Sequence, residues 1–227
     1  MISAVLFDLD GTLLDRKGAH ARFMLDQATR FAAELGGVSP EAYLEVAVRY
    51  DRNGMAARKE SFPEIGRALA LSDELTHELM SDYRARFPAT CNLFPGVHET
   101  LDALRRTGLR LGLITNGSTL VQGGKLDAVS IRPKLDAILI SELEGVHKPD
   151  VEIFRRAAER LNTDPGKCVF VGDNPDNDIR GAKSAEMRAV WIRDAWWNEP
   201  AEADAVIDRV PELPPVVEAW MASDARV

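Results

Sequence analysis

The chain of 227 residues contains little cysteine, no surplus of positive charge and no long apolar run. Its two cysteines, Cys91 and Cys168, are far apart and follow no metal-ligand spacing, which excludes a disulfide framework and is typical of a reducing compartment. The net charge of −8 excludes the basic footprint of a nucleic-acid-binding protein, and anionic membrane surfaces would repel such a chain.

Signals for membrane insertion or export are also missing. No uncharged apolar stretch is long enough to span a membrane, and the N-terminal sequence MISAVLFD lacks the basic start of a secretory signal. We therefore expect a cytoplasmic protein whose partners are neither nucleic-acid polymers nor membranes. The hydrophobic fraction of 45% and the charged fraction of 28% are those of a globular protein that can bury a sizeable core.

Short continuous apolar runs recur along the chain, with helical patterns between most of them. The runs lie at residues 2–7, 109–115, 135–140, 167–172, 188–192 and 203–207. A continuous run, unlike an alternating one, is typical of a strand buried on both faces of a parallel sheet. Because strand and helix patterns alternate from about Phe94 onward, the sequence predicts an α/β protein with a doubly wound, mostly parallel, Rossmann-like sheet.

The segment from residue 15 to residue 92 breaks this alternation, because it contains helical patterns and no convincing strand. Ser39 and Ser72 stand where the N-caps of two helices belong, and an earlier helical pattern runs to Leu35 before two glycines. We therefore predict that residues 1–14 and 93–227 form an α/β catalytic core. Residues 15–92 would form an all-helical cap domain inserted after the first strand.

Polar side chains follow two of the predicted strands directly. Asp8 and Asp10 in DLDGT point to the same side of extended backbone, and Gly11 lets the chain turn away. One carboxylate of such a pair can attack as a nucleophile while the other transfers protons. Thr115 and Asn116 follow another strand and offer a hydroxyl, an amide and backbone N–H groups suited to an oxyanion.

Two later segments also lie beyond the end of a predicted strand. Lys148 could neutralise a phosphate or a nucleophilic carboxylate as a point charge. Asp173 and Asp178 lie in GDNPDND, where close carboxylates need a cation such as Mg²⁺. An ordinary turn or helix cap accounts for each segment alone. Ligands gather at the carboxyl ends of strands in an open α/β sheet, however, so the four segments together favour one shared site.

In this order the four segments resemble the signature motifs of the haloacid dehalogenase superfamily, a group made mostly of Mg²⁺-dependent phosphatases. DLDGT, Thr115, Lys148 and GDNPDND match those motifs, and the likeness covers nearly the whole chain. It is thinnest between residues 15 and 92, where the family has a variable helical cap. The resemblance implies a Mg²⁺-dependent phosphatase that hydrolyses a small phosphorylated metabolite, a phosphate monoester, through an aspartyl-phosphate.

The resemblance implies that Asp8 is the nucleophile and also a ligand of Mg²⁺. Asp10 would protonate the leaving alcohol, then activate water, and would ligate Mg²⁺ through its backbone carbonyl. Halide needs no proton, and the dehalogenase branch lacks this second aspartate, so Asp10 argues against dehalogenation. Two alternatives remain open: a phosphomutase, which returns the phosphoryl group to a sugar, and a non-catalytic binding protein on the same fold.

The other matched residues would bind the substrate phosphate and the metal. The resemblance implies that Thr115, Asn116 and Lys148 bind the phosphate, with Lys148 also bridging it to Asp8. Asp173 would ligate Mg²⁺ directly. Asp178 would hold either metal-bound water or Lys148.

Four basic residues of the predicted cap, Arg49, Arg52, Arg58 and Lys59, cluster around an Asn-Gly pair. Acidic and basic residues balance between residues 16 and 90, so this part of the chain repels an anionic substrate least. One or two of the four bases are candidates for contact with a second anionic group of the substrate. The alternative, which the usual exposure of such side chains favours, is a solvated helix end.

Overall fold

The computed structural model describes residues 1–225, and within them six strands form a parallel sheet. The strands are β1 (Ala4–Phe7), β2 (Arg110–Thr115), β3 (Ala137–Ile140), β4 (Cys168–Gly172), β5 (Arg188–Ile192) and β6 (Ala205–Ile207). Their order is β3-β2-β1-β4-β5-β6, and all neighbours are parallel. This order confirms the prediction of a doubly wound α/β fold.

Ten α-helices accompany the sheet in the described part of the chain. They are α1 (Arg16–Arg30), α2 (Pro40–Asp51), α3 (Arg58–Ala68), α4 (Asp73–Arg86), α5 (Val97–Arg106), α6 (Thr119–Ala128), α7 (Ser141–Glu144), α8 (Val151–Arg160), α9 (Gly181–Ser184) and α10 (Leu213–Asp224). No helix among residues 1–225 combines the length and the apolar character needed to cross a membrane.

The chain forms two compact units. The α/β unit comprises Met1–Asp15 and the chain from Asn92 onward, and the helical unit comprises Arg16–Cys91. In the α/β unit, Phe154 of α8 packs against Phe170 of β4 with ring centroids 5.0 Å apart, so this helix covers one face of the central strands.

The helical unit has its own aromatic core. Tyr83 of α4 stacks on Phe87 with ring centroids 4.5 Å apart, and Phe23 of α1 and Phe62 of α3 meet Tyr83 edge to face. These four rings are almost completely buried. Aromatic burial of this kind stabilises short helices that would be marginal alone.

Helix ends agree with the sequence only in part. The Oγ atoms of Ser39 and Ser72 accept hydrogen bonds from backbone N–H groups of α2 and α4, which confirms both N-caps. The helical pattern that runs to Leu35 is wrong in its length, because α1 ends at Arg30. Leu35 keeps its buried place through a turn, in which its N–H donates to Phe31 O at 2.9 Å.

Helix α3 has no counterpart among the sequence predictions. Its interior contains Pro63 and Gly66, two residues that disfavour helix. Phe62 and Ile65 are buried, and a Cβ atom on Gly66 would lie 2.2 Å from Oγ1 of Thr76 in α4. Packing against α4 therefore outweighs the weak local preference of this segment.

Candidate active site

The carboxyl ends of the two central strands bring Asp8 and Asp173 together. Phe7 of β1 is in register with Val171 of β4, and the N–H of Asp8 donates to Val171 O at 2.9 Å. Carboxylate oxygens of Asp8, Asp173 and Asp178 all lie within 4.8 Å of one another, and the three residues are buried. Residues more than 160 positions apart in the chain thus form one acidic centre.

Lys148 is the basic group of this centre. Its Nζ lies 2.6 Å from Oδ1 of Asp8 and 2.6 Å from Oδ1 of Asp178, and the residue is only 2% exposed. The second oxygen of Asp178 accepts a hydrogen bond from the N–H of Asn174 at 3.0 Å. Asp178 therefore holds Lys148 with one oxygen and its own loop with the other.

Asn116 holds the backbone around Lys148. Its Nδ2 donates to Lys148 O, and its Oδ1 accepts from Lys148 N, both at 2.9 Å. The amide of Asn116 therefore holds the backbone of Lys148. Phosphate binding by Asn116, through its backbone N–H, stays a prediction.

Burial governs the electrostatics of the acidic centre. Burial, reinforced by the charge of Asp178, raises the pKa of Asp8 to about 7 even though Lys148 opposes the shift. Burial and the charges of Asp178 and Asp8 also raise the pKa of Asp173 well above its ordinary value. Burial would lower the pKa of Lys148, but the two carboxylates that it touches outweigh burial and raise that pKa. Three carboxylates around one ammonium leave an excess of negative charge that a cation can offset.

Two glycines make room for these carboxylates. Gly11 has φ +87°, and a Cβ atom on it would lie 2.6 Å from Oδ2 of Asp173. A Cβ atom on Gly172 would lie 2.4 Å from the Cβ of Asp178. The glycine in each motif is thus required by the close approach of a site carboxylate, and Gly11 also by its left-handed backbone.

Asp10 contacts two buried residues that the sequence analysis did not single out. Nζ of Lys125 lies 2.8 Å from Oδ1 and 2.6 Å from Oδ2 of Asp10. Nε2 of Gln122 lies 3.0 Å from Oδ2 of Asp10 and 2.5 Å from Oγ1 of Thr115. The available signal was their spacing, because polar residues three positions apart share a face of α6, the helix that follows the Thr115 strand.

In the helical unit, Arg58 belongs to an internal ion cluster. Its Nη1 lies 2.6 Å from Oδ1 of Asp51, and its guanidinium lies 5.1 Å from the ring centre of Tyr83. Arg16 binds the same carboxylate through two hydrogen bonds of 2.5 and 2.9 Å. Burial raises the pKa of Asp51, but the surrounding positive charges, Arg16 foremost, outweigh it and hold the pKa well below its ordinary value.

The prediction for the four bases of this unit therefore divides. Arg58 is neither a solvated helix end nor an unengaged side chain, because it pairs with Asp51. Arg49, Arg52 and Lys59 are exposed. Contact between any of them and an anionic group of a substrate stays a prediction.

The fold and the site together define an α/β protein in which buried carboxylates cluster beyond the ends of parallel strands. A family model described as haloacid dehalogenase-like hydrolase matches residues 2–186. The chain therefore belongs to the haloacid dehalogenase-like hydrolases, as the motif resemblance predicted.

Individual relatives agree with this assignment. The chain is 35% identical over 231 residues to a glyceraldehyde 3-phosphate phosphatase of Methanopyrus kandleri, a match that covers 96% of this chain and 97% of the relative. A solved structure of a phosphatase of the same family from Thermococcus onnurineus is 30% identical, with a TM-score of 0.67 over 95% of this chain and 98% of that one. A 2-haloacid dehalogenase structure from Pseudomonas syringae is also 30% identical, with a TM-score of 0.66 over 97% of this chain and 100% of that one.

Proposed function

We propose that the protein is a Mg²⁺-dependent phosphatase that hydrolyses a small phosphorylated metabolite through an aspartyl-phosphate on Asp8. The observation that carries the proposal is the buried centre in which Lys148 touches Asp8 while two further carboxylates surround it. The phosphatases among its relatives support the reaction class. The cytoplasmic location and the absence of nucleic-acid partners stay predictions.

The acidic centre fits a magnesium ion. Mg²⁺ prefers oxygen ligands and few carboxylates, and Asp8 and Asp173 present buried carboxylate oxygens that lack sufficient positive charge nearby. Asp8, Asp173 and the backbone carbonyl of Asp10 would hold the ion. When bound, Mg²⁺ supplies positive charge that offsets the repulsion between an anionic nucleophile and a phosphate dianion.

Each proposed chemical step uses a residue of this chain. Asp8 bonds to phosphorus as the bond between phosphorus and the alkoxide breaks, and Asp10 gives its proton to that alkoxide. Water then gives a proton to Asp10 and bonds to phosphorus, and the bond to Asp8 breaks to release phosphate. Lys148 and Thr115 bind the phosphoryl oxygens and stabilise the charge that spreads over them.

Asp10 separates this reaction from dehalogenation, the activity named for one similar structure. An alkoxide leaving group needs a proton, whereas halide does not. In the proposed reaction Asp10, whose carboxylate is joined to Thr115 through Gln122, would supply that proton.

The test is phosphate release from p-nitrophenyl phosphate by the purified protein with Mg²⁺. We expect EDTA to abolish release and Asp8→Asn to lower kcat by about 10⁴-fold or more, since a nucleophile has no substitute. Asp127→Asn is the control, because Asp127 is exposed and pairs with Arg132 on the surface. Activity that survives both EDTA and Asp8→Asn would contradict the mechanism. A sugar phosphate that is isomerised without phosphate release would identify a phosphomutase instead.

A further inference from the structure

Helix α6 turns two buried polar side chains toward the acid/base group of the proposed reaction. Lys125 is 3% exposed and Gln122 is 2% exposed, and both contact the carboxylate of Asp10. A lysine buried to this degree needs an anionic partner, because an isolated buried ammonium is very costly. Here the ammonium meets both oxygens of one carboxylate, at 2.8 and 2.6 Å.

The amide of Gln122 joins Asp10 to Thr115. Its Nε2 atom donates one hydrogen bond to Oδ2 of Asp10 and another to Oγ1 of Thr115. The opposite orientation of the amide would set its carbonyl oxygen against the carboxylate, where no donor would lie between two acceptors. The hydroxyl of Thr115 therefore accepts from Gln122, and its own hydrogen is left for another acceptor, such as a phosphoryl oxygen.

The backbone on both sides of this contact is held as well. Ser118 caps the start of α6 by accepting a hydrogen bond from the N–H of Val121, so the helix is anchored directly after the β2 strand end. The N–H of Gly11 donates to Leu14 O at 2.9 Å, which closes the turn after Asp10. The contact thus joins two anchored segments rather than two mobile side chains.

We propose that Lys125, assisted by Gln122, is a positioning residue that holds the carboxylate of Asp10 in place for proton transfer. Lys125 acts through Asp10 and is not itself a catalytic residue. This inference rests on the proposed phosphatase function. It concerns a side chain 115 positions from Asp10 in the sequence and outside the four motifs.

The proposal predicts a distinctive dependence on the leaving group. p-Nitrophenolate leaves phosphorus without protonation, so the first step, transfer to Asp8, does not need Asp10 as an acid. The second step, attack of water, needs Asp10 as a base whatever the substrate. Misplacing Asp10 should therefore slow only the second step with p-nitrophenyl phosphate, but both steps with an alkyl phosphate such as glycerol 3-phosphate.

The experiment compares wild-type protein with Lys125→Met and Lys125→Arg in rapid-mixing measurements of p-nitrophenol release. For Lys125→Met we expect a burst whose rate constant stays within about 3-fold of that of the wild type. The steady-state rate that follows should be about 100-fold lower, which is a typical contribution of general acid–base catalysis. Lys125→Arg should keep the steady state within about 10-fold, since it retains the charge. With glycerol 3-phosphate as the substrate, release of glycerol by Lys125→Met should be slow from the first turnover, without an initial burst.

Lys183→Met is the matched control. Nζ of Lys183 contacts both oxygens of Asp204 at 2.9 and 2.8 Å, as Nζ of Lys125 contacts both oxygens of Asp10. Asp204 directly precedes β6 and so lies at the amino ends of the strands, away from the candidate site. This variant should keep wild-type kinetics. The double variant Asp10→Asn, Lys125→Met should be no slower than Asp10→Asn alone, because both changes remove one function.

The outcomes separate the two proposals. If wild-type protein releases no phosphate from either substrate, the phosphatase function fails and the role of Lys125 fails with it. If wild-type protein is active but Lys125→Met lowers the burst and the steady state by equal factors, or lowers neither, the positioning role alone is overturned. Unfolding in urea, followed for every variant, identifies a loss that comes from an unfolded fraction, which would lower the burst amplitude and the steady-state rate by the same factor.

Discussion

At the scale of single residues, burial beside charge recurs in both units of the protein. His20 of α1 is an example outside the candidate site. It is 4% exposed, its Nε2 lies 3.7 Å from Oδ1 of Asp51, and Arg16 and Arg58 reach the same carboxylate. Burial, with the two arginines, lowers the pKa of His20 to about 4, although Asp51 opposes the shift.

This lowered pKa predicts a loss of stability in acid. The unfolded chain binds a proton at His20 below about pH 6.5, whereas the folded protein resists protonation down to about pH 4. Stability from this residue is therefore complete above pH 6.5 and falls as the pH drops toward 4. Between pH 7 and pH 5 the wild-type protein should lose about 2 kcal/mol more free energy of unfolding than His20→Gln.

Urea unfolding at the two pH values measures this difference. His77→Gln is the control, because His77 lies exposed in α4 of the same unit. Its dependence on pH should equal that of wild-type protein. Parallel curves for wild type and His20→Gln would show that His20 is not held neutral.

At the scale of elements, the turns beyond the strands carry the chemistry, and their glycines are tied to neighbouring motifs. Gly11 closes the turn after β1 and gives room to Asp173, which follows β4. Gly108, before β2, has a φ of +84° that is close to the +87° of Gly11, yet nothing lies within 4 Å of a Cβ added there. A comparison of substitutions at Gly11 and Gly108 therefore separates the effect of backbone strain from the effect of a clash with Asp173.

Gly11→Ala and Gly108→Ala should both lose about 1 kcal/mol of stability, because both force an alanine into left-handed backbone. Only Gly11→Ala should also weaken Mg²⁺ binding, by about 10-fold or more, since its Cβ displaces the carboxylate of Asp173. Isothermal titration of each variant with Mg²⁺, without substrate, measures the affinity. Equal affinities in the two variants would mean that Asp173 is not a metal ligand or that it moves without cost.

At the scale of the whole molecule, the charge distribution makes a bound cation a source of stability. The chain carries −8, and its buried acidic centre adds local repulsion that one ammonium offsets only in part. A ligand that binds only the folded protein stabilises it according to its concentration relative to the dissociation constant.

Mg²⁺ at about 100 times its dissociation constant should therefore raise the free energy of unfolding by about 2.7 kcal/mol. Thermal unfolding with and without Mg²⁺ measures the shift, and sodium chloride at the same ionic strength is the control for general screening. Asp173→Asn should abolish most of the shift. A shift that sodium chloride reproduces would argue against a specific site.

Much of the fold was predictable because local patterns carry it. The apolar runs of the central strands and the N-caps Ser39 and Ser72 depend on residues a few positions apart, and the structure confirms them. The existence of α3 was not predictable, since Pro63 and Gly66 disfavour helix until α4 packs against them. Tertiary packing decided that element.

The sheet and the order of the four polar segments follow from local patterns, because strand period and parallel topology place such segments at the carboxyl ends of the strands. The contacts between side chains came from tertiary structure alone: at the strand ends, Asn116 holds the backbone of Lys148 and Lys125 reaches Asp10. Within the helical unit, Arg58 pairs with Asp51. Hydrogen bonds and ion pairs depend on distances between atoms that are remote in the chain. A period of 2 or 3.6 residues contains no information about those distances.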